Sequence, residues 1–331
     1  MTIQLLTVAA AEGETRLDRW FRRHYPQLTQ GALQKLLRTG QIRVDGKRAE
    51  ANTRVIPGQE IRVPPIPAGP APQKPAQQVS ERDARELEQM VLYRDDSVIV
   101  LNKPHGLPVQ GGPGIKKHLD GMLDALRFGN ESRPKLVHRL DRDTSGVLLL
   151  ARTPAAAAKL AAAFRSRHAE KTYWAVVVGR PEHPGGRIDM PLVRLGGPRG
   201  ERTAPAGEGD DGATAITEYD TLDGAQRRVT LLEMRPLTGR THQLRVHAAD
   251  ALGCPILGDG KYGGEDAHHA DLPPLLHLHA RALRLPHPEG GMLEVAAPLP
   301  PHMRETFKFF GFEEQRAPKP RRLATAGAKP R

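Results

Sequence analysis

Cysteine is almost missing from this chain: Cys254 stands alone among 331 residues. A fold stapled by disulfides is thereby excluded, and a reducing compartment, read as the cytoplasm, fits best. Long apolar runs are missing too. None approaches the roughly 20 residues that cross a bilayer as a helix, so no membrane partner is expected. The opening "MTIQLLTVAAAEGE" has no basic stretch ahead of its apolar residues, and acids follow at once, which argues against a signal peptide. No GxxxxGK[ST] loop occurs, so nucleotide use is not indicated. His242, His247, His277 and His279, with His268 and His269, raise the question of a metal. They come with no HExxH, no paired cysteines and no carboxylates at ligand spacing. "HLH" at 277–279 reads more simply as a satisfied structural pair. No metal and no cofactor are expected. What the chain does contain, 38% hydrophobic and 26% charged residues, suits a soluble globular protein long enough for two domains. A monomer is the default.

Acids are also missing from one segment. Residues 315–331 hold six Lys/Arg and no Asp/Glu, and residues 1–64 hold 11 against 6. These two segments account for the whole net charge of +11, since residues 65–314 carry 32 of each sign. A neutral body with basic flanks suggests a polyanion held from its sides. The plainer reading is a solubilising tail with ordinary surface lysines.

Along the chain, "RLDRWFRRHY" places Leu17, Trp20, Phe21 and His24 on one helical stripe, with Arg19, Arg22 and Arg23 facing solvent. "TQGALQKLLRTG" predicts a second helix, with Leu33, Leu36 and Leu37 on one face, Thr29 as N-cap and Gly40 as stop. "QIRVDGKRA" alternates toward an Asp45-Gly46 hairpin turn, and "VIPGQEIRV" is another strand. A Pro/Ala-rich stretch at 65–80 reads as a semi-rigid linker. The body follows from about 90 to 312. Its strands are predicted at "VLYR" and "VIVLNK", then "GVLLLAR", "KTYWAVVVG", "ATAITEYDTL", "RVTLLEMRP" and "RALRLPHP". Helices are expected at 115–128, 154–168 and 241–252. Residues 196–213 read as a long polar loop, and 315–331 as a disordered basic tail. Strands with interspersed helices predict an α+β class with a mixed, mainly antiparallel sheet.

Two stretches carry candidate chemistry. In "LVHRLDRDTSGVLLLA", residues 136–151, Asp143 to Gly146 are turn formers ahead of an apolar strand. "HRLD" is not explained by a turn. A carboxylate beside arginine stays ionised when partly desolvated and can serve as nucleophile or base. Asp141 and Asp143 both remain candidates on this ground. In "RPLTGRTHQLRVHAADALG", residues 235–253, Thr241 is placed to cap a helix carrying Leu244, Ala248, Ala251 and Leu252, stopped by Gly253. His242, Gln243 and Arg245 fall in its opening turns, where free N–H groups suit an anion. A surface helix with solvated side chains is the simpler account.

The chain resembles two known families. Residues 14–64, "RLDRWF", "GALQKLLRTGQIRVDGKRA" and "PGQEIRV", look like the alpha-L RNA-binding module first named from a small-subunit ribosomal protein. The resemblance implies RNA contacts from Arg16, Lys35, Arg38, Arg43, Lys47 and Arg48. From about 90 to 312, "NKPHGLPVQGG", "HRLDRDTSGVLLLA", "KTYWAVVVG", "LTGRTHQLRVHAADALGCPILGDGKYG", "LLHLHARALRLPHP" and "AAPLPPHM" resemble, in order, the large-subunit type of pseudouridine synthases. The nearest subtype is the one that modifies several uridines of large-subunit ribosomal RNA. The resemblance implies isomerisation of uridine within RNA after base flipping, with no external donor. It puts the essential aspartate at Asp141, the stacking aromatic at Tyr173, and the basic partner of the aspartate at Arg245. Arg139 would fill the space left by the flipped nucleotide, and Asp143 would stay in the turn bonding backbone N–H groups. The rivals are a non-catalytic RNA-binding assembly factor on the same fold, and a metal-dependent RNA hydrolase using the histidines.

Overall fold

The computed structural model describes residues 3–67, 79–112, 114–196, 202–225 and 228–314. The chain forms two compact units, Met1–Gln78 and Val79–Arg331.

In the first unit the helices run Leu17–His24 and Gln30–Arg38. Leu17, Trp20 and Phe21 are buried, as their spacing requires. His24 is exposed instead. It stacks on Trp20 at 4.2 Å and its Nε2 lies 2.6 Å from Glu12 Oε1, since an imidazole satisfies its polarity more cheaply at the rim. Thr29 caps the second helix by accepting from the Ala32 N–H, and Gly40, at φ 69°, ends it. Asp45 and Gly46 both take positive φ, 48° and 75°, as a two-residue turn between antiparallel strands needs. The small sheet also contains Gln4–Thr7, outside the expected 14–64 span; it pairs with Glu60–Val63. Residues 68–78 of the Pro/Ala stretch lie outside the described residues. Ser80, the last residue of the expected linker, caps a helix, Glu81–Gln89, through the Asp83 N–H. That helix was not legible because Leu87 is its one fully buried residue.

The second unit is built on one large mixed sheet. Its strand order is Gly185–Asp189, Ile216–Ala225, Val229–Pro236, Glu170–Val178, Leu278–Pro286, Ser145–Ala151, Val98–Lys103, Val91–Arg94. Neighbours along this path are antiparallel except Ser145–Ala151 beside Leu278–Pro286, which are parallel. All seven residues of Ser145–Ala151 are buried. Val147, Leu149 and Ala151 pack with Ala156 and Leu160 of the helix Pro154–Arg165. Leu148 and Leu150 pack on the opposite face with Leu119, Leu123 and Leu126. Two covered faces explain why this strand reads as a continuous apolar run.

Several expectations are corrected by the packing. The helix expected at 115–128 shrinks to Leu119–Met122 and a 3-10 turn, Leu123–Leu126. The helix at 154–168 ends at Arg165, with Thr153 as its cap. Within the expected loop 196–213, Arg202–Pro205 is a strand paired with Leu192–Leu195, and residues 197–201 lie outside the described residues. "AAPLPPHM", one of the segments that carry the resemblance, leaves the strand Met292–Ala296 and starts the helix Pro301–Phe310, since proline suits a first turn. The tail 315–331 lies outside the described residues.

Gly146 governs the centre of this sheet. Its φ is 108°, and a Cβ there would lie 2.2 Å from the Ala280 carbonyl oxygen. No side chain fits between these parallel strands. Gly146→Ala is therefore expected to cost about 2–4 kcal/mol, through strain and displaced pairing. Denaturant midpoints of the two proteins measure it, and a loss under about 1 kcal/mol would contradict the close approach.

Candidate active site

Register across the sheet brings the distant motifs together. Gly146 is opposite Ala280, Ala280 opposite Tyr173, and Tyr173 opposite Met234. A bulge between Thr172 and Tyr173 re-aims the ring. Asp141 leads into the first of these strands and Arg245 follows the last. Asp141, Arg139, Tyr173 and Arg245 accordingly line one cavity of about 690 Å³. Asp141, Arg139 and Arg245 also line an adjoining one of about 600 Å³, shared with His105 and Lys261. In the larger cavity the basic residues are Arg139, Arg165, Arg167, Lys171, Arg240 and Arg245, and Asp141 is the one acid.

Asp141 is about a quarter exposed, and its carboxylate accepts no hydrogen bond among the described residues. Its backbone carbonyl accepts from the Thr144 N–H and closes the turn. Asp143 differs. Its two oxygens accept from Arg142 Nε and Nη2 at 2.9 and 3.2 Å. Burial works against its charge, but the Arg142 pair wins and holds its carboxyl below the usual range. The expected bonds from Asp143 to the turn's N–H groups are thus replaced by a guanidinium fork. The two acids differ in geometry: Asp143 is engaged and Asp141 is open.

Tyr173 is packed between two core clusters, and burial followed by the Asp141 charge pushes its hydroxyl well above the ordinary phenol value. The phenol stays protonated and offers the cavity an aromatic surface.

Arg245, expected as the basic partner of Asp141, makes its hydrogen bonds elsewhere. Its Nε and Nη2 donate to Asp259 at 2.7 and 2.6 Å. The Asp259 side chain is fully buried and also accepts from the Lys261 and Tyr262 N–H groups. Arg245 lies 5.0 Å from the Tyr262 ring centre. Desolvation opposes its charge, yet Asp259 and then Asp141 keep the guanidinium more firmly protonated than usual. Asp141 therefore feels Arg245 through space. The expected helix 241–252 is also different. Thr241 does not cap it; its hydroxyl accepts from Arg194. Helix begins after His242 with Gln243–Val246 and continues as a π-turn, His247–Ala251, a form common at functional sites. Ala251, expected on the apolar stripe, is exposed. Gln243 explains the departure: it donates to Ile216 O and Thr217 Oγ1 and accepts from Thr238 and the Arg240 N–H. This buried network ties the loop to a strand end ahead of a helix start that has no side-chain cap.

Two buried lysines were not anticipated. Lys103 donates to the carbonyls of Pro104, Leu107 and Arg142, joining the "NKPHGL" loop to the turn after Asp141. Burial pushes it down to about 7, with Asp143 and Asp141 opposing; three carbonyl acceptors favour the ammonium form. Lys171, pushed down to about 8 by burial, donates to Thr238 O at the cavity wall. Neither is marked by the residues beside it, Glu170 and Thr172 for Lys171 and Asn102 and Pro104 for Lys103. His138, directly before Arg139, accepts from the Leu149 N–H and stacks on Phe164; burial pushes it to about 3, so it is a neutral strut.

Of the N-terminal residues, Lys35, Arg38, Lys47 and Arg48 are exposed. Arg16 is bound to Asp18 at 2.7 Å, and Arg43 donates to Gly40 O and Gly46 O, which commits both to holding their own loops.

Residues 97–250 match the RNA pseudouridylate synthase family. RNA pseudouridine synthase 4, mitochondrial, of Arabidopsis thaliana is 36% identical over 377 residues, spanning 89% of this chain and 79% of the relative. Ribosomal large subunit pseudouridine synthase C of Rickettsia bellii (strain RML369-C) is 40% identical over 255 residues, 76% of this chain and 83% of the relative. The solved structure of human RNA pseudouridylate synthase domain containing 4 has a TM-score of 0.59 at 30% identity, covering 69% of this chain and 95% of that one. These matches define the class of protein, an RNA-modifying isomerase. The chain belongs to the RNA pseudouridylate synthase family.

The remaining histidines are structural in their surroundings. His277 Nε2 lies 2.7 Å from Thr306 Oγ1, His279 Nδ1 2.9 Å from Ser145 Oγ, and His302 Nε2 donates to Leu276 O. Among the described residues, no group of three or more His, Cys, Asp or Glu is placed to hold a metal. Burial pushes all three to about 4, below the ordinary value of about 6.5 of an unfolded chain. Their contribution to stability is therefore complete above about pH 6.5 and is lost as pH falls through about 4. Denaturant titration at about pH 7 and about pH 5 should show a loss on the order of a few kcal/mol; equal stability at both would refute the neutral, buried assignment.

Proposed function

We propose that this protein isomerises uridines to pseudouridine in large-subunit ribosomal RNA, with Asp141 acting at the sugar as nucleophile or base. The observation that carries this is the open Asp141 carboxylate beside the Tyr173 ring, in a cavity whose other charged groups are basic. A uridine in folded RNA must leave its stack before its sugar is reached, at a cost of a few kcal/mol. Stacking on an aromatic face offsets about 1–3 kcal/mol of that, which is the role given to Tyr173. Arg139, exposed at the mouth of both cavities, takes the place vacated in the RNA. The C1′–N1 bond breaks, the uracil turns, and C1′ bonds to C5. C5 loses a proton and N1 gains one, so the product keeps the composition of the substrate and no external donor is needed. Arg245 steadies the Asp141 anion through space.

The named relatives support the substrate. One is called a ribosomal large-subunit synthase and another a mitochondrial one. A single buried cysteine then argues for a reducing compartment and does not single out the cytoplasm. Residues 14–64 are assigned as an alpha-L-type RNA grip, with Lys35, Arg38, Lys47 and Arg48 as its free cations. The enzyme is proposed to act as a monomer without cofactor. No helix among the described residues is long and apolar enough to cross a membrane.

Asp141→Asn is expected to bring pseudouridine formation to background while RNA affinity stays near that of the parent. Mapping pseudouridines in ribosomal RNA treated with each protein decides it, and retained turnover would overturn the assignment. Replacing Lys35, Arg38, Lys47 and Arg48 together by alanine should flatten the salt dependence of RNA binding by about 0.7 for each phosphate that is no longer neutralised. An unchanged slope would remove these four from the interface.

A further inference from the structure

Arg245 is held by Asp259, and Arg142 by Asp143. Neither hydrogen-bonds to Asp141, yet a catalytic carboxylate needs a fixed orientation. The polar side chain beside it is His242, whose Nε2 lies 4.0 Å from Asp141 Oδ2. His242 also has an unusual backbone, φ 55° and ψ 18°, a region that few non-glycine residues enter and that is enriched at functional sites.

The other ring nitrogen fixes the tautomer. His242 Nδ1 lies 2.7 Å from the Tyr262 hydroxyl. That hydroxyl oxygen already accepts from the Thr203 N–H at 3.3 Å. Tyr262 has one proton to give; the Thr203 N–H and hydroxyl both face it as donors, so the acceptor it meets is Nδ1. A ring nitrogen that accepts carries no proton, so the neutral imidazole has its proton on Nε2, the side facing Asp141. Burial, followed by Arg245 and Lys261, disfavours the imidazolium; Asp141 and Asp259 oppose them without reversing the direction. Tyr262 is itself anchored, since its backbone N–H donates to Asp259 and its ring lies against the Arg245 guanidinium.

We propose that His242, locked by Tyr262 as the Nε2–H tautomer, is the positioning residue for Asp141. On RNA binding it donates to one carboxylate oxygen and leaves the other aimed at the sugar. The 4.0 Å separation closes as the cleft fills, as hydrogen bonds in empty active sites commonly do. The inference rests on Asp141 being the essential carboxylate.

Histidine ¹⁵N spectra of the full chain test the lock without any turnover. The His242 ring should show a protonated Nε2 and a bare Nδ1, assigned by loss of its signals in His242→Gln. Tyr262→Phe should shift it toward a mixture of tautomers. In assays on ribosomal RNA, His242→Leu should lower kcat on the order of 10²-fold with KM little changed. His242→Gln, which keeps an N–H donor near the Nε2 place, should recover most of that loss. A bare Nε2 in the parent protein overturns the proposal. So do equal losses in the Leu and Gln variants when both melt like the parent, or a loss confined to KM. If the parent makes no pseudouridine, the enzymatic reading falls, and the spectra still decide the tautomer.

Discussion

The ion pair between Arg245 and Asp259 is the constraint on which the cleft depends. Both side chains are buried, and such a pair is stable only when its remaining hydrogen-bond positions are filled. Asp259 meets that demand with the N–H groups of Lys261 and Tyr262. The pair therefore fixes two loops at once, the one carrying His242 and the one carrying Tyr262. Removing one partner would leave a buried charge at a cost of about 3–5 kcal/mol. Asp259 takes Nε and Nη2 of Arg245, and no arginine hydrogen-bonds directly to the Asp141 carboxylate among the described residues. It keeps its lone pairs for a substrate while sitting in a field that favours the anion.

Around that pair the molecule separates rigid support from open chemistry. Lys103 pins the Arg142 carbonyl, His138 pins the backbone of the central strand, and Gln243 pins the loop before Arg245. Each is a polar group turned to the interior, and each has a backbone group among its partners. The groups left with spare capacity, Asp141, Arg139 and the Tyr173 ring, face the cavity. Preorganisation of this type places the entropy cost of ordering the site in folding, ahead of any encounter with RNA.

Much of this was legible in the sequence. Period-two patterns and turn residues marked the large strands, and Asp45-Gly46 fixed its hairpin. Asp141, Tyr173, Arg139 and Arg245 could be named from long ordered motifs and do share one cavity. What was illegible is tertiary pairing. Nothing in "GDGKYG" shows that Asp259 claims Arg245 from fourteen residues away. Nothing in "VLNKP" shows a lysine buried in an apolar strand. Thr241 looked like a cap because hydroxyls usually cap helices, yet it pairs with Arg194, and the loop is held by Gln243 through side-chain bonds that no local pattern reports. The helix Glu81–Gln89 escaped notice because one buried leucine makes no stripe.

The close approach at Gly146 has a bearing on how such a site can change. The backbone of Ala280 occupies the space that any side chain at position 146 would need. The sheet at this point in the strand that follows Asp141 is thus packed main chain to main chain, which offers substitution no handle. The rim is different: Arg165, Arg167 and Arg240 project from a helix end and loops with room around them. Divergence in which RNA is chosen has to be written on the rim, while the chemistry stays shut inside a wall of peptide bonds.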